Sequence, residues 1–295
     1  MSGSANGSGL AAVDVGARLV RPGAVVLAGG VESASTAPLR FWPGEPPVRY
    51  ERAPFAPEPF ADPDMGYAAD VLAAKAGVTR GQQDAYAARS HARAVATQEA
   101  GGFHAELVPV GAVVRDERPR TITVERLARL RPAFRPEHDG GTVTAGNSCG
   151  VNDGAAAVAL VDAATHRSLG VPGLRVLATA TAGVDPELPG IGLVPAVRTA
   201  LSRAGLTLAD LDVVEVNEAF AGQVLACCDE LAVAPESVCV EGGALALGHP
   251  WGASGAVLVV RLFSQLVRAG RGRYGLAAIA VGGGQGVAVV VERCR

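Results

Sequence analysis

A glycine-rich stretch around His249 is the part of the sequence best suited to chemistry. Five of the fourteen residues in 242–255 are glycines, and the stretch holds one His-Pro pair and no Asp, Glu, Lys or Arg. Glycine allows tight turns and close approach to a ligand, and Pro250 biases His249 towards an extended conformation. The residues after Gly252 read as a helix, whose N-terminus attracts anions. The pattern predicts an aimed imidazole at a ligand site, although a tight turn with a hydrogen-bonded histidine also fits it.

The composition excludes several classes of protein. The chain has 295 residues, of which 49% are apolar and 19% are charged, with a net charge of −3. It is long enough to bury a large core and carries no excess of positive charge for a nucleic acid. Its apolar runs are shorter than the roughly 18 residues of a membrane helix, and its first residues do not form a signal peptide. We expect a cytoplasmic protein without nucleic-acid or membrane partners.

The cysteines do not predict a disulfide framework or a metal site. The five cysteines have no CxxC spacing. Cys227 and Cys228 are adjacent within a helical pattern and are expected to be buried packing residues. The sequence therefore indicates no metal ligands.

Short apolar strands alternate with helices over much of the chain. Such an order predicts an α/β fold with a mostly parallel, doubly wound sheet. Helices are predicted at 10–20, 66–77, 79–101, 125–130, 194–205, 219–231 and 253–267, and strands at 24–28, 106–114, 155–161, 174–179, 213–216, 276–281 and 286–291. Residues 34–141 differ in composition from the rest of the chain. Their eight prolines from Pro38 to Pro63 favour irregular structure. We interpret this part as an inserted layer over the α/β core.

Four polar loops follow predicted strands, and with them the sequence resembles a known family. These loops are GGVES at 29–33, AGNSCGVNDG at 145–154, VNEAFAG at 216–222 and the GHP loop. Ligands of open α/β sheets bind beyond the carboxyl ends of the strands, where such loops converge. In these loops, and in residues 82–109, 190–192 and 282–286, the chain resembles the thiolases, the acyl-CoA C-acyltransferases. The resemblance covers nearly the whole chain.

The resemblance implies a layered αβαβα architecture with three parts. Residues 171–295 correspond to a complete C-terminal thiolase domain, and residues 34–141 to a loop domain that covers the CoA site. Residues 1–33 and 142–170 correspond to an N-terminal domain without its opening strands. A thiolase has a further βαβαβ run at this point, so we expect either a fragment or an assembled protein. The assembly is expected to be a homo-oligomer or a complex with a second chain that supplies the missing strands.

The resemblance also implies roles for individual residues. In thiolases the histidine of the GHP loop and a water held by the asparagine of NEAFA form an oxyanion hole, which corresponds here to His249 and Asn217. Glu218 is expected to orient this loop. Simpler interpretations of two of these residues remain open. Asn217 would then be an ordinary turn residue, and Phe220, which the resemblance places against the acyl or pantetheine chain, would be an ordinary core residue. The substrate is expected to be a CoA thioester, with no permanently bound cofactor and no metal, and the implied contacts to CoA are Met65, Ala145, Cys149, Ala219, Phe220 and Gly248.

Two positions depart from the family pattern. Asn6 stands where the family has its nucleophilic cysteine, and Ala280 stands where it has its acid/base cysteine. An asparagine amide and an alanine methyl group cannot form an acyl-thioester or move a proton. Three functions remain open: acyl transfer between CoA thioesters, a non-catalytic subunit that binds CoA, and aldolase-type cleavage of a β-hydroxyacyl-CoA that needs no nucleophile.

Overall fold

The computed structural model describes residues 7–50 and 52–295 as a layered α/β protein. In this part of the chain, no helix is long and apolar enough to cross a membrane. The α-helices are α1 (Ser8–Leu19), α2 (Met65–Lys75), α3 (Arg80–Glu99), α4 (Val124–Leu127), α5 (Ala163–Leu169), α6 (Leu193–Ala204), α7 (Ala221–Leu231), α8 (Ala244–Leu247) and α9 (Trp251–Phe263). The strands are β1 (Val25–Glu32), β2 (Arg40–Trp42), β3 (Val48–Tyr50), β4 (Gly154–Val161), β5 (Gly173–Gly183), β6 (Val213–Val216), β7 (Tyr274–Val281) and β8 (Gln285–Cys294).

The main sheet is mixed, and the prediction of a mostly parallel sheet was wrong. Its four strands run in the order β5–β8–β7–β6. The strands β6 and β7 are parallel, whereas β8 is antiparallel to both β7 and β5. Only Gly282, Gly283 and Gly284 join β7 to β8, and so short a connection permits a hairpin but no crossover.

Both faces of this sheet are buried, because its strands alternate their side chains between two cores. Leu276 and Ala278 of β7 contribute to the core that includes α6 and α7. Ala277 and Ile279, which point the other way, contribute to the core with α1 and α9. This double burial explains why the strands read as continuous apolar runs without polar alternation.

A second, two-stranded sheet lies beyond α1 and α9. The strands β1 and β4 are antiparallel and pack one face on these helices. The sequence of layers is therefore helix, sheet, helix, sheet, which is four of the five predicted layers. The outer face of β1 is open to solvent in the described part of the chain, since Leu27 is 77% and Val31 is 71% exposed.

Residues 34–141 form a layer whose helices α2 and α3 pack on α7 and α8. A capping box begins α3: the Thr79 amide donates to Gln82 Oε1 at 2.7 Å. The predicted strand at 106–114 was wrong. Only an isolated bridge joins Val110 to Val113, because Gly111 takes a positive φ of 59° and turns the chain back. Cys227 and Cys228 lie buried in α7, as predicted.

Candidate active site

The backbone of His249 is fixed in the turn between α8 and α9. Its amide donates to the Gly150 carbonyl at 2.9 Å and to Asn152 Oδ1 at 3.0 Å. Gly248 takes a φ of 103°, and a Cβ added there would lie 2.1 Å from Asn152 Oδ1. Glycine is required at this position because the turn needs both the positive φ and the close approach. The loop at 145–154 therefore positions the GHP loop.

The imidazole of His249 lies between two polar side chains. Its Nε2 is 3.3 Å from Asn217 Nδ2, and its Nδ1 is 2.5 Å from Ser254 Oγ. His249 is 3% exposed, and this burial lowers its pKa to about 4. The ring is therefore neutral at pH 7 and carries one N–H. Ser254 is a site residue that the sequence analysis missed, although its place in the first turn of the helix after His-Pro was a usable signal.

Asn217 comes directly after β6, at the carboxyl end of the parallel strand pair. The backbone amide of Asn217 donates to the Ala278 carbonyl of β7 at 2.9 Å, which extends the hydrogen-bond ladder between β6 and β7 by one residue. The carboxyl ends of parallel strands share one edge of the sheet, so the side chain of Asn217 meets the GHP loop there. The structure thus brings His249 and Asn217 together.

Glu218 points away from His249 and anchors the loop on the inserted layer. Its carboxylate accepts hydrogen bonds from Tyr86 Oη at 2.8 Å and Ser90 Oγ at 2.6 Å, both on α3. It also accepts from the Leu245 amide of α8 at 3.2 Å. Burial raises the pKa of Glu218, and these hydrogen bonds oppose the rise. One carboxyl group therefore connects the loop after β6 to α3 and α8.

Residues 145–149 run beside the loop that follows Asn217. The Cys149 amide donates to the Ala219 carbonyl at 2.9 Å, and the Ala221 amide donates to the Asn147 carbonyl at 2.9 Å. Burial raises the pKa of Cys149 to about 12, so this thiol is protonated at neutral pH and is a weak nucleophile. Ala145 is exposed at the start of this loop.

Two partly exposed aromatic rings meet near this loop. Phe134 and Phe220 pack edge to face with centroids 6.1 Å apart. Phe134 also covers Gly66, next to Met65, where an added Cβ would lie 2.3 Å from the ring. Phe220 is half-buried here, which makes it available to a ligand. Phe134 was missed in the sequence, where a lone phenylalanine among arginines and prolines was its only signal.

Arg118 was also missed, because it lies in an irregular segment. Its guanidinium packs against the backbone of Gly150, where an added Cβ would lie 2.1 Å from Cζ. Its Nε is buried and has no hydrogen-bond partner within the described residues. The positive charge of Arg118 therefore lies beside the loop that carries Cys149.

Of the two positions that depart from the family pattern, the structure describes only Ala280. Ala280 pairs with Gly286 near the end of β7, two residues beyond the Ala278 that contacts Asn217. It offers only a methyl group at this edge. Asn6 lies outside the described residues. Gly7, the next residue, packs on β7, since an added Cβ would lie 2.6 Å from Val281 Cγ2.

A cluster of charged side chains surrounds Arg261 of α9. Arg261, 2% exposed, binds both carboxylate oxygens of Glu106 at 2.6 Å and also pairs with Glu241. Glu215 of β6 accepts a hydrogen bond from Gln265 at 2.5 Å. Burial raises the pKa of Glu215 from 4.5 to about 7, against the opposing effects of the Arg261 charge and this hydrogen bond. Across residues 7–50 and 52–295, no group of three or more His, Cys, Asp or Glu side chains is arranged to hold a metal.

The pKa of Glu215 predicts a pH-dependent effect of Glu215→Gln. Between pH 4.5 and about 7 the folded chain keeps a proton that the unfolded chain releases, so wild-type stability falls as the pH rises through this window. The variant lacks this group. Its stability relative to wild type should rise across the window by up to about 1.4 kcal/mol per pH unit.

Urea unfolding of both proteins at pH 5 and pH 8 measures this change. Glu187→Gln, at an exposed position, is the matched control and should give the same difference from wild type at both pH values. A pH-independent difference for Glu215→Gln would contradict the assignment.

Comparison with known proteins identifies the family. Residues 3–164 match the thiolase N-terminal domain, and residues 171–293 match the thiolase C-terminal domain. An acetyl-CoA acetyltransferase and a beta-ketoadipyl-CoA thiolase, both of Pseudomonas aeruginosa, are 44% and 45% identical to the chain; each alignment covers 97% of the chain and 77% of the relative. The crystal structure of human mitochondrial 3-ketoacyl-CoA thiolase superposes with a TM-score of 0.86 at 35% identity, covering 98% of this chain and 77% of that one. The chain belongs to the thiolase family.

Proposed function

We propose that this chain binds an acyl-CoA thioester and stabilises negative charge on the thioester oxygen with His249 and Asn217. The observation that carries the proposal is the contact of 3.3 Å between His249 Nε2 and Asn217 Nδ2 at the carboxyl ends of β6 and β7. Two buried polar groups at one point form a site where an enolate or oxyanion gains more than it does in water. A single donor of this kind typically lowers the barrier by about 3 kcal/mol.

The CoA part of the substrate is proposed to lie along residues 145–149. The backbones of Cys149, Ala219 and Gly248 line this part of the proposed site, and Ala145 is exposed to solvent. Beyond it we place the pantetheine chain against Met65, Phe134 and Phe220. The Arg118 guanidinium adds a positive charge suited to an anionic ligand. In this proposal CoA is a substrate, no cofactor is permanently bound, and residues 34–141 cover the site.

The residues that remain favour enolate chemistry over covalent acyl transfer. Acyl transfer through a cysteine needs a thiolate, and positions 6 and 280 hold an asparagine and an alanine. Cys149 is a poor substitute, because burial raises its pKa to about 12. In retro-aldol cleavage of a β-hydroxyacyl-CoA, the β-hydroxyl gives its proton to water and the Cα–Cβ bond breaks, which releases an aldehyde or ketone. The thioester enolate that remains takes a proton from water at Cα and becomes the shortened acyl-CoA. An oxyanion hole is suited to this step and no nucleophile is needed.

The open face of β1 and β4 favours an assembled protein. Apolar side chains stand exposed along β1, with Val25 at 62%, Leu27 at 77% and Val31 at 71%. A contiguous apolar face of this kind is usually covered by another surface. We propose that a second copy of the chain covers it in solution. A non-catalytic, CoA-binding subunit is a second candidate function supported by this face. The cytoplasmic location predicted from the sequence stays a prediction.

Wild-type protein is expected not to thiolyse acetoacetyl-CoA in the presence of CoA. The double variant Asn6→Cys, Ala280→Cys should restore thiolysis to roughly 100-fold above wild type, since a positioned acid/base group alone contributes about 10²–10⁴ in rate. Loss of the absorbance of the acetoacetyl-CoA enolate measures both activities. The triple variant that adds His249→Ala should return to background. Wild-type thiolysis that survives alkylation of the cysteines would show that no thiol is needed.

Cleavage of a β-hydroxyacyl-CoA is expected in wild type and should be lost in His249→Ala. Asn217→Ala should lower the rate about 100- to 1000-fold, because it removes one donor of the oxyanion hole. Release of the aldehyde or ketone and of the shortened acyl-CoA measures the reaction. His138→Ala, at an exposed histidine, is the matched control and should not change the rate. Absence of cleavage in wild type, or its persistence in His249→Ala, would rule out the aldolase proposal.

Native mass measurement should show multiples of the 29.8 kDa chain. Leu27→Glu places a charge on the open face and is expected to lower the mass to that of one chain without unfolding it, because Leu27 is 77% exposed. Val110→Glu is the matched control, at a residue 75% exposed on a different segment, and should leave the assembly intact. A wild-type protein that runs as a single chain would refute the proposed assembly.

A further inference from the structure

Ser254 is the hydrogen-bond partner of His249 on the side away from Asn217. It lies in the first turn of α9, is 3% exposed, and its Oγ is 2.5 Å from Nδ1. On the opposite side of the ring, Asn217 Nδ2 is 3.3 Å from Nε2. Both ring nitrogens are thus occupied, and the imidazole is buried between two uncharged side chains.

The types of these partners determine where the ring proton lies in the free protein. A neutral imidazole has one N–H and one acceptor nitrogen, and an amide nitrogen can only donate. Nε2, which faces the amide nitrogen of Asn217, is therefore the acceptor. The ring proton lies on Nδ1 and is donated to Ser254 Oγ.

An oxyanion hole needs the opposite tautomer, because only Nε2–H can donate to a thioester oxygen on that side of the ring. Within the described residues, Ser254 is the one hydrogen-bond partner of Nδ1. A hydroxyl both donates and accepts, so it can stay bonded to Nδ1 in either tautomer. A backbone carbonyl or a carboxylate at this place would accept only and would hold the proton on Nδ1.

We propose that Ser254 is a positioning residue that lets His249 change tautomer: its hydroxyl accepts from Nδ1–H in the free protein and donates to Nδ1 when a thioester oxygen faces Nε2. In this exchange Nδ1 gives its proton to water and Nε2 takes one from water, so the charge of the ring is unchanged. The Asn217 amide then donates to the thioester oxygen, directly or through a water. This inference rests on the proposed thioester site, but its statement about the free protein does not need a ligand.

Nitrogen-15 spectra of histidine-labelled protein test the proposal, because protonated and unprotonated ring nitrogens differ in chemical shift. The chain has five histidines, and the signals of His249 are those lost in His249→Gln. Wild type should show the proton on Nδ1 when free and on Nε2 when saturated with acetyl-CoA. Ser254→Ala should keep the proton on Nδ1 in the free protein, because Asn217 still faces Nε2, but should shift the Nδ1 signal to that of an N–H without its acceptor. Ser254→Thr, which keeps the hydroxyl, should retain the wild-type shift.

Calorimetric binding gives an independent readout. Ser254→Ala should weaken binding of acetyl-CoA about fivefold to tenfold, the effect of losing one buried hydrogen bond. Binding of CoA, which has no thioester oxygen, should be unchanged. Ser202→Ala, on the exposed face of α6, controls for removal of a helical serine.

Three results would overturn the proposal: a free wild-type ring protonated on Nε2, a bound ring that keeps its proton on Nδ1, or identical free spectra for wild type and Ser254→Ala. If acetyl-CoA does not bind to wild type, the proposed function fails. The free-protein spectra then still decide whether Nδ1–H donates to Ser254.

Discussion

The first turn of α9 is wedged between α1 and β1, and the site depends on this close packing. A Cβ added to Gly30 of β1 would lie 1.8 Å from the Gly252 carbonyl oxygen, and one added to Gly9 of α1 would lie 2.7 Å from the same oxygen. Neither position has space for a side chain. Because α9 begins at Trp251, two residues after His249, this packing fixes the helix start and with it the depth of the imidazole.

Buried polar groups connect the loops that converge on this helix start. Glu218 joins the loop after β6 to α3 and α8, and Asn147 donates from Nδ2 to Asp84 on α3 at 3.0 Å. Buried polar atoms without partners are costly, so such bonds determine where each loop can sit. Helix α3 therefore holds the site loops in place. This arrangement explains how a site made of loops acquires a single geometry.

The electrostatics of the site suit neutral donors. His249 and Asn217 are both buried and uncharged at neutral pH, because burial lowers the pKa of the histidine to about 4. Neutral dipoles in a water-poor place can stabilise charge that appears during a reaction without a large desolvation penalty beforehand. Burial also keeps the Cys149 thiol protonated. The same physical cause, burial, therefore keeps both the His249 imidazole and the Cys149 thiol uncharged at neutral pH.

The sequence alone predicted the helices well, since capping residues and apolar spacing are local signals. The predicted helix at 79–101, found as α3, is an example. The expectation that Asn217 and His249 act together came from the resemblance to the thiolases. Strand direction was misjudged at β8, because it depends on the geometry of the turn at Gly283 and not on the composition of the strand.

What the sequence by itself determined is the family and the chemical groups present or missing at 6, 217, 249 and 280. Only the tertiary structure decided the contacts of those groups. Ser254, Arg118 and Phe134 reach the site from separate segments, and no local pattern records a contact between residues far apart in the chain. The pKa of Cys149 likewise depends on burial, which is a property of the packed layers.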